Sequence, residues 1–166
     1  MLANFLMTVL YTQITVATPP GPIPALLWTD DHVAQGFAWS PGFVSFGIPD
    51  HDGDVRVSVL RDVAFGIDAG TLWAVQTPIK VVGPGIEVGT VGYEHAVAVP
   101  PGHYNLVFEA RHPEAGEVEE VAYAVRLHFI ETSSPTFAIL KTGEDVTAER
   151  VLSETAEIIR DRLGSG

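Results

Sequence analysis

Between residues 43 and 130 apolar and polar side chains alternate again and again with a period of two, and Gly, Pro and Asp break the runs. Period two is the repeat of a pleated strand with one buried face, and no helical stretches separate the runs, so the pattern is that of a sandwich or barrel rather than of βαβ units. Phe43 to Ile48, Asp54 to Leu60, Thr71 to Val82, Glu94 to Val99 and His103 to Ala110 are the expected strands, with a shorter one at Thr136 to Leu140. The clearest is Glu120 to Ile130, where Val121, Tyr123, Val125, Leu127 and Phe129 take one face and Glu120, Arg126 and His128 the other. That strand is expected to be central and half buried. The fold class is mainly β, a β-sandwich of about seven or eight mostly antiparallel strands.

The ends of the chain read differently. Phe5, Met7, Val9 and Tyr11 share one face of a first strand, and a phase slip near Thr12 and Gln13 precedes Ile14 and Val16; a β-bulge accounts for the slip. Pro19-Pro20-Gly21-Pro22-Ile23-Pro24 lacks too many backbone donors to continue a ladder and reads as an extended surface connection. A short helix follows over Asp30 to Gln35, with Thr29 or Asp30 as N-cap and Gly36 as its stop, flanked by Trp28 and Trp39. In residues 147–163 Leu152, Ala156, Ile159 and Leu163 recur at helical spacing, which predicts a C-terminal amphipathic helix; it packs on a sheet or serves as a homodimer helix.

At 166 residues the chain fits one domain, 1–166, that closes a core without staples, and it contains no cysteine for disulfides or thiolate zinc sites. Nine Lys and Arg stand against 21 Asp and Glu, a formal charge of −12. A field of that sign repels phosphate, so direct nucleic-acid binding is not expected, and it attracts a basic protein. The first charged side chain is Asp30, which invites a signal-peptide or membrane reading of Leu2 to Val16. Asn4, Thr8, Thr12, Gln13 and Thr15 interrupt the apolar run and no basic residue opens it, so neither reading is adopted and no membrane insertion is expected.

Candidates for chemistry are few. Asp50-His51-Asp52-Gly53-Asp54 is the densest group of hard oxygen ligands, but an EF-hand would need Gly and Glu where Val55 and Arg61 stand. An acidic turn explains the cluster, and Asp50, Asp52 and Asp54 remain weak metal candidates. The six histidines form no zinc signature, and His103 and His128 are expected to face solvent. No Gly-x-Ser-x-Gly is present, and the Gly83-Pro84-Gly85 and Gly89-Thr90-Val91-Gly92 stretches read as β-turns rather than phosphate loops. No catalytic residue and no cofactor is assigned. Glu114-Ala115-Gly116-Glu117-Val118-Glu119-Glu120 joins two strong strand candidates, which makes it a hairpin loop carrying four carboxylates. It is either a solubilising loop or a set of charges that occupies a basic cleft.

Tyr11-Thr12-Gln13-Ile14-Thr15-Val16, then Trp28-Thr29-Asp30-Asp31 with Gly36-Phe37 and Gly42-Phe43-Val44-Ser45-Phe46, and later Pro101-Gly102-His103-Tyr104-Asn105-Leu106, together resemble the competence protein J family. The runs fall within the first two thirds of the chain and in the family's order. The resemblance implies a cytoplasmic, noncatalytic inhibitor of a metal-dependent, nonspecific DNA nuclease, in DNA uptake or as immunity against a nuclease toxin. Carboxylates paired with a basic nuclease, with an aromatic anchor, then make Trp28, Asp30, Asp31, Trp39, Glu117, Glu119 and Glu120 the candidate partner-binding residues. Two alternatives use other residues: a small-ligand or carbohydrate-binding sandwich stacking on Trp28, Trp39 or Trp73, and a metal-dependent hydrolase built on Asp50, Asp52 and Asp54.

Overall fold

A computed structural model of the chain describes residues 1–9, 12–18, 25–49, 51, 53–90, 93–143, 146–147 and 152–159. Among these are thirteen strands and one helix: β1 Ala3–Met7, β2 Gln13–Ala17, β3 Ala25–Leu26, α1 Asp30–Gln35, β4 Phe37–Ser40, β5 Phe43–Gly47, β6 Asp54–Asp62, β7 Thr71–Val81, β8 Ile86–Thr90, β9 Tyr93–Val97, β10 Gly102–Arg111, β11 Val121–Glu131, β12 Ala138–Lys141 and β13 Ile158–Ile159. A six-stranded sheet runs β1-β6-β11-β10-β7-β12, a five-stranded sheet runs β4-β5-β2-β8-β9, and β13 pairs with β3. The pairings are antiparallel except that of β11 with β6, which is parallel. The mainly β reading holds, with more strands among the described residues than the seven or eight expected, several of them only two to five residues long.

The period-two faces of the two large sheets meet in one apolar core. Val125, Leu127 and Phe129 of β11 and Leu106 and Phe108 of β10 pack from one sheet, and Ile14, Val16, Phe37 and Phe46 from the other. Phe46 stacks on Phe108 across the interface with ring centroids 4.6 Å apart. β11 lies between β6 and β10, as its alternation predicts.

Three elements differ from the sequence reading. The first strand is not one bulged strand: β1 pairs with β6 in the larger sheet, while β2 pairs with β5 and β8 in the other. Thr12 takes φ 55° just before β2, and the change of sheet lets Met7 and Ile14 both enter the core despite the phase slip. Tyr11, assigned to that strand, lies outside the described residues, as does the whole of 19–24. Gly89 and Thr90, read as part of a turn, belong to β8, whose Thr90 stands opposite Tyr93 of β9, and Val91 and Gly92 lie outside the described residues; Gly83 and Pro84 form the expected turn.

The C-terminal amphipathic helix is also overturned where the chain is described. Residues 152–157 are non-helical and Ile158–Ile159 form β13, while 148–151 and 160–166 lie outside the described residues. Tertiary partners replace the intrahelical hydrogen bonds. Ser153 N donates to Gln35 Oε1 (2.8 Å) and Gln35 Nε2 to the Ser153 carbonyl (2.9 Å), Ala156 N donates to the Trp39 carbonyl, and Leu27 N to the Glu157 carbonyl. Each satisfied backbone group removes the reason to coil, and helical spacing alone does not compete. The homodimer reading that used this helix loses its element.

Candidate interface at the acidic end of the sandwich

The short helix forms where its caps predict. Thr29 is the N-cap, Gly36 takes φ 85° at the C-terminal end, and its N–H donates to the His32 carbonyl at 2.9 Å. A Cβ at Gly36 would also meet Val146 Cγ2 at 2.8 Å, so the position demands glycine twice over. His32, buried under the helix, accepts the Thr29 N–H on Nδ1 (2.9 Å), which makes Nε2 the donor to the Thr155 carbonyl at 3.0 Å. The extended segment 152–159 thereby clasps α1 from below. Asp30 is exposed and Asp31 half exposed on the outer side; Val33 is 60% exposed beside them, and Leu27, Glu154, Glu157 and Ile158 are exposed along the clasp.

Trp28 leans over Gly47, where a Cβ would already touch the indole at 3.4 Å. Together with Val33, Ile48, Pro49 and Trp73 it lines a cleft of about 490 Å³. The Nε1–H groups of Trp28 and Trp73 are buried and have no acceptor among the described residues. Trp39 is spent differently: its Nε1 donates to the Pro78 carbonyl at 2.7 Å and its ring meets Phe137 edge-on. Trp28 and Trp39 are half-buried and Trp73 is 3% exposed, so what indole surface remains for a ligand at Trp28 and Trp73 is the part that lines the cleft.

The expected hairpin loop does connect β10 to β11, but its carboxylates divide into two groups. Glu117 grips Arg56 through two bonds (Nε to Oε2, 2.9 Å; Nη2 to Oε1, 3.0 Å) and also accepts the Val118 N–H. The hydrogen bond from Arg56 holds the Glu117 carboxyl below its ordinary value, and Glu117 raises the Arg56 guanidinium in return. Glu114 is paired with Arg126. Glu119 and Glu120 are exposed, and neither side chain has a partner among the described residues. Glu117 is thus a strut for the loop, whereas Glu119 and Glu120 face solvent beside the exposed Val118.

The cleft and the hairpin are linked through the loop from β5 to β6. The loop from β5 to β6 leaves Pro49 at the cleft, passes His51, whose ring meets Tyr123 edge-on at 5.3 Å, and ends where the Asp54 N–H donates to the Glu120 carbonyl at 2.8 Å. Tyr123 also contacts Trp73. Gly53 makes this approach possible: it takes φ 101°, and a Cβ there would lie 2.2 Å from the Glu120 oxygen. Asp50 and Asp52 lie outside the described residues. Asp54 accepts the Thr8 hydroxyl at 2.7 Å, and the described residues hold no group of three or more ligands suited to a metal.

Sequence reasoning missed a buried polar row on the outer face of the six-stranded sheet. The 63–70 connection carries the chain from β6 to β7 across β11 and β10, and beneath it Glu109 (1% exposed) accepts Thr71 Oγ1 at 2.6 Å and Arg111 Nη1 at 2.8 Å. Glu109 Oε1 meets His128 Nε2 at 2.9 Å, and His128 Nδ1 meets Asp62 Oδ2 at 2.5 Å. Burial pushes the Glu109 carboxyl up, but the hydrogen bonds from His128, Thr71 and Arg111 outweigh it and hold the group below the ordinary glutamate value. Arg111 reaches on to Asp68, and Phe65 lies edge-on to the His128 ring. His128 is therefore buried, contrary to the outward-facing expectation, while His103 is exposed as expected. The strand alternation put both on the outer face correctly; it carried no sign that a crossing loop covers part of that face.

No helix among the described residues is long and apolar enough to cross a membrane. The family model for Competence protein J (ComJ) matches residues 6–130. No curated protein matches by sequence. A crystal structure of ComJ from Bacillus subtilis, an inhibitor of the DNA-degrading activity of NucA, has the same fold: TM-score 0.66 at 19% identity, covering 78% of this chain and 96% of that one.

Proposed function

The chain belongs to the competence protein J family, and on that premise we propose that it is a noncatalytic inhibitor that binds and silences a metal-dependent, nonspecific DNA nuclease in the cytoplasm. The observation that carries this reading is the family match over 6–130, joined to the shared fold of a B. subtilis protein that inhibits the DNA-degrading activity of NucA. The charge of −12 supports it, since a nuclease that grips DNA presents a basic groove to which this surface is complementary.

The contact surface is the acidic end of the sandwich. Trp28, Asp30 and Asp31 on one side and Glu119 and Glu120 on the other are the residues that meet the nuclease. Glu117 and Trp39, also expected at the interface from sequence, act from behind it through Arg56 and Pro78. A partner guided by such charges associates quickly and in a salt-dependent manner.

The test is retention from host lysate at low and moderate salt, followed by a DNA-cleavage assay on the retained protein. Retention of a basic nuclease whose cleavage this chain abolishes is the expected result. Absence of any nuclease at either salt contradicts the reading.

A further inference from the structure

We propose that the cleft beneath α1 is a socket for one Lys or Arg side chain of the nuclease, an inference that rests on the inhibitor reading above. Apart from Trp73 and Val146, the lining comes from residues 12–49, and that span contains Asp30 and Asp31 but no Lys or Arg; the first Lys or Arg of the whole chain is Arg56. Asp30 stands three residues before Val33 on α1, hence on the same helix face as a residue that lines the cleft. The opening is thus mainly apolar, with Thr12 and Gln13 as its polar lining, an aspartate on the adjoining helix face, and no Lys or Arg of its own lining it to repel the guest.

A basic side chain matches that arrangement in both its parts. Its aliphatic stem packs on Ile48, Pro49 and the indoles, and its charged head lies against an indole face and the Asp30 carboxylate. A small apolar ligand would use the walls but leave the adjoining carboxylate without a counterpart. The volume of about 490 Å³ exceeds one side chain, so a short piece of the partner's backbone enters with it.

The test uses Val33, which is 60% exposed and so tolerates exchange without loss of the fold. With the host nuclease as probe, Val33→Arg is expected to weaken binding about tenfold or more by placing a like charge at the opening, while Val33→Glu leaves it unchanged or tighter. Asp30→Asn weakens binding severalfold. The chain has three tryptophans, and on addition of the nuclease the indole N–H resonances of Trp28 and Trp73 shift, whereas that of Trp39, already bonded to Pro78, stays in place. Equal binding by wild type, Val33→Arg and Asp30→Asn, or an unmoved Trp28 and Trp73, overturns the socket while leaving inhibition intact. A wild-type protein that neither binds nor silences the nuclease removes the inhibitor reading and the socket together.

Discussion

The Asp54 amide donates to the Glu120 carbonyl across 2.8 Å, and through this one bond the loop leaving the cleft is fastened to the hairpin that carries Glu119 and Glu120. Gly53 makes the contact possible by adopting φ 101° with no side chain facing Glu120. Glu119–Glu120 on the hairpin are thereby tied to the loop that follows the cleft beside Asp30–Asp31, more than eighty residues away in sequence.

Gly53→Ala therefore forces the loop and the hairpin apart. The substitution is expected to cost at least about 1 kcal/mol in folding, because alanine is strained at that φ and its Cβ collides with a carbonyl oxygen. It is also expected to slow nuclease association. Chemical denaturation and stopped-flow binding measure the two effects. Wild-type values in both would show that the bond does not organise the surface.

The hairpin carboxylates separate by role. Glu119→Gln with Glu120→Gln leaves the unfolding midpoint in place but slows association with the nuclease and flattens its salt dependence. Glu117→Gln does the reverse: it releases Arg56, lowers the midpoint, and changes the salt dependence little, since that charge is already neutralised. Association rates across a salt series distinguish the two. An unchanged salt slope in the Glu119/Glu120 variant would eliminate the hairpin as a steering surface.

Acid should loosen the outer face. A carboxylate held below its ordinary value contributes stability that is complete above the unfolded pKa and is lost as pH falls through the lower folded value. Glu109, surrounded by His128, Thr71 and Arg111, is such a group. Wild-type stability is expected to decline below about pH 4.3, and Glu109→Gln to flatten that decline while costing about 3 kcal/mol near neutrality by taking a carboxylate from the buried Arg111 guanidinium. Denaturant titrations at several pH values read both effects. Parallel pH profiles in the two proteins would contradict the assignment.

The clasp depends on Gln35, which exchanges hydrogen bonds with Ser153 in both directions and also donates to the Phe37 carbonyl. Gln35→Ala is expected to cost about 1–3 kcal/mol, since it strips partners from buried groups. It should also speed hydrogen exchange of Ser153 and the residues after it. Unaltered exchange there would show that the segment is held by something other than α1.

What the sequence made legible follows from which forces are local. Thr29 and Gly36 bounded α1 correctly because caps act within one turn, and the alternation in Glu120 to Ile130 placed β11 and its faces because a strand's period is intrinsic. Leu152, Ala156 and Ile159 misled because the partners that hold that segment extended, Gln35, Trp39 and Leu27, are more than a hundred residues away. The burial of His128 and Glu109 depends on a connection crossing two strands, which no local pattern encodes. At the candidate interface the residue types were visible, but the division of Glu117 from Glu119 and Glu120 hung on Arg56, a partner from another strand.

The most direct measurement is a titration of this protein into its purified nuclease, held well above the dissociation constant, with the rate of DNA cleavage as the readout. Cleavage that falls linearly and vanishes at one inhibitor per nuclease is the predicted result. Cleavage that persists in the presence of excess protein would contradict the account.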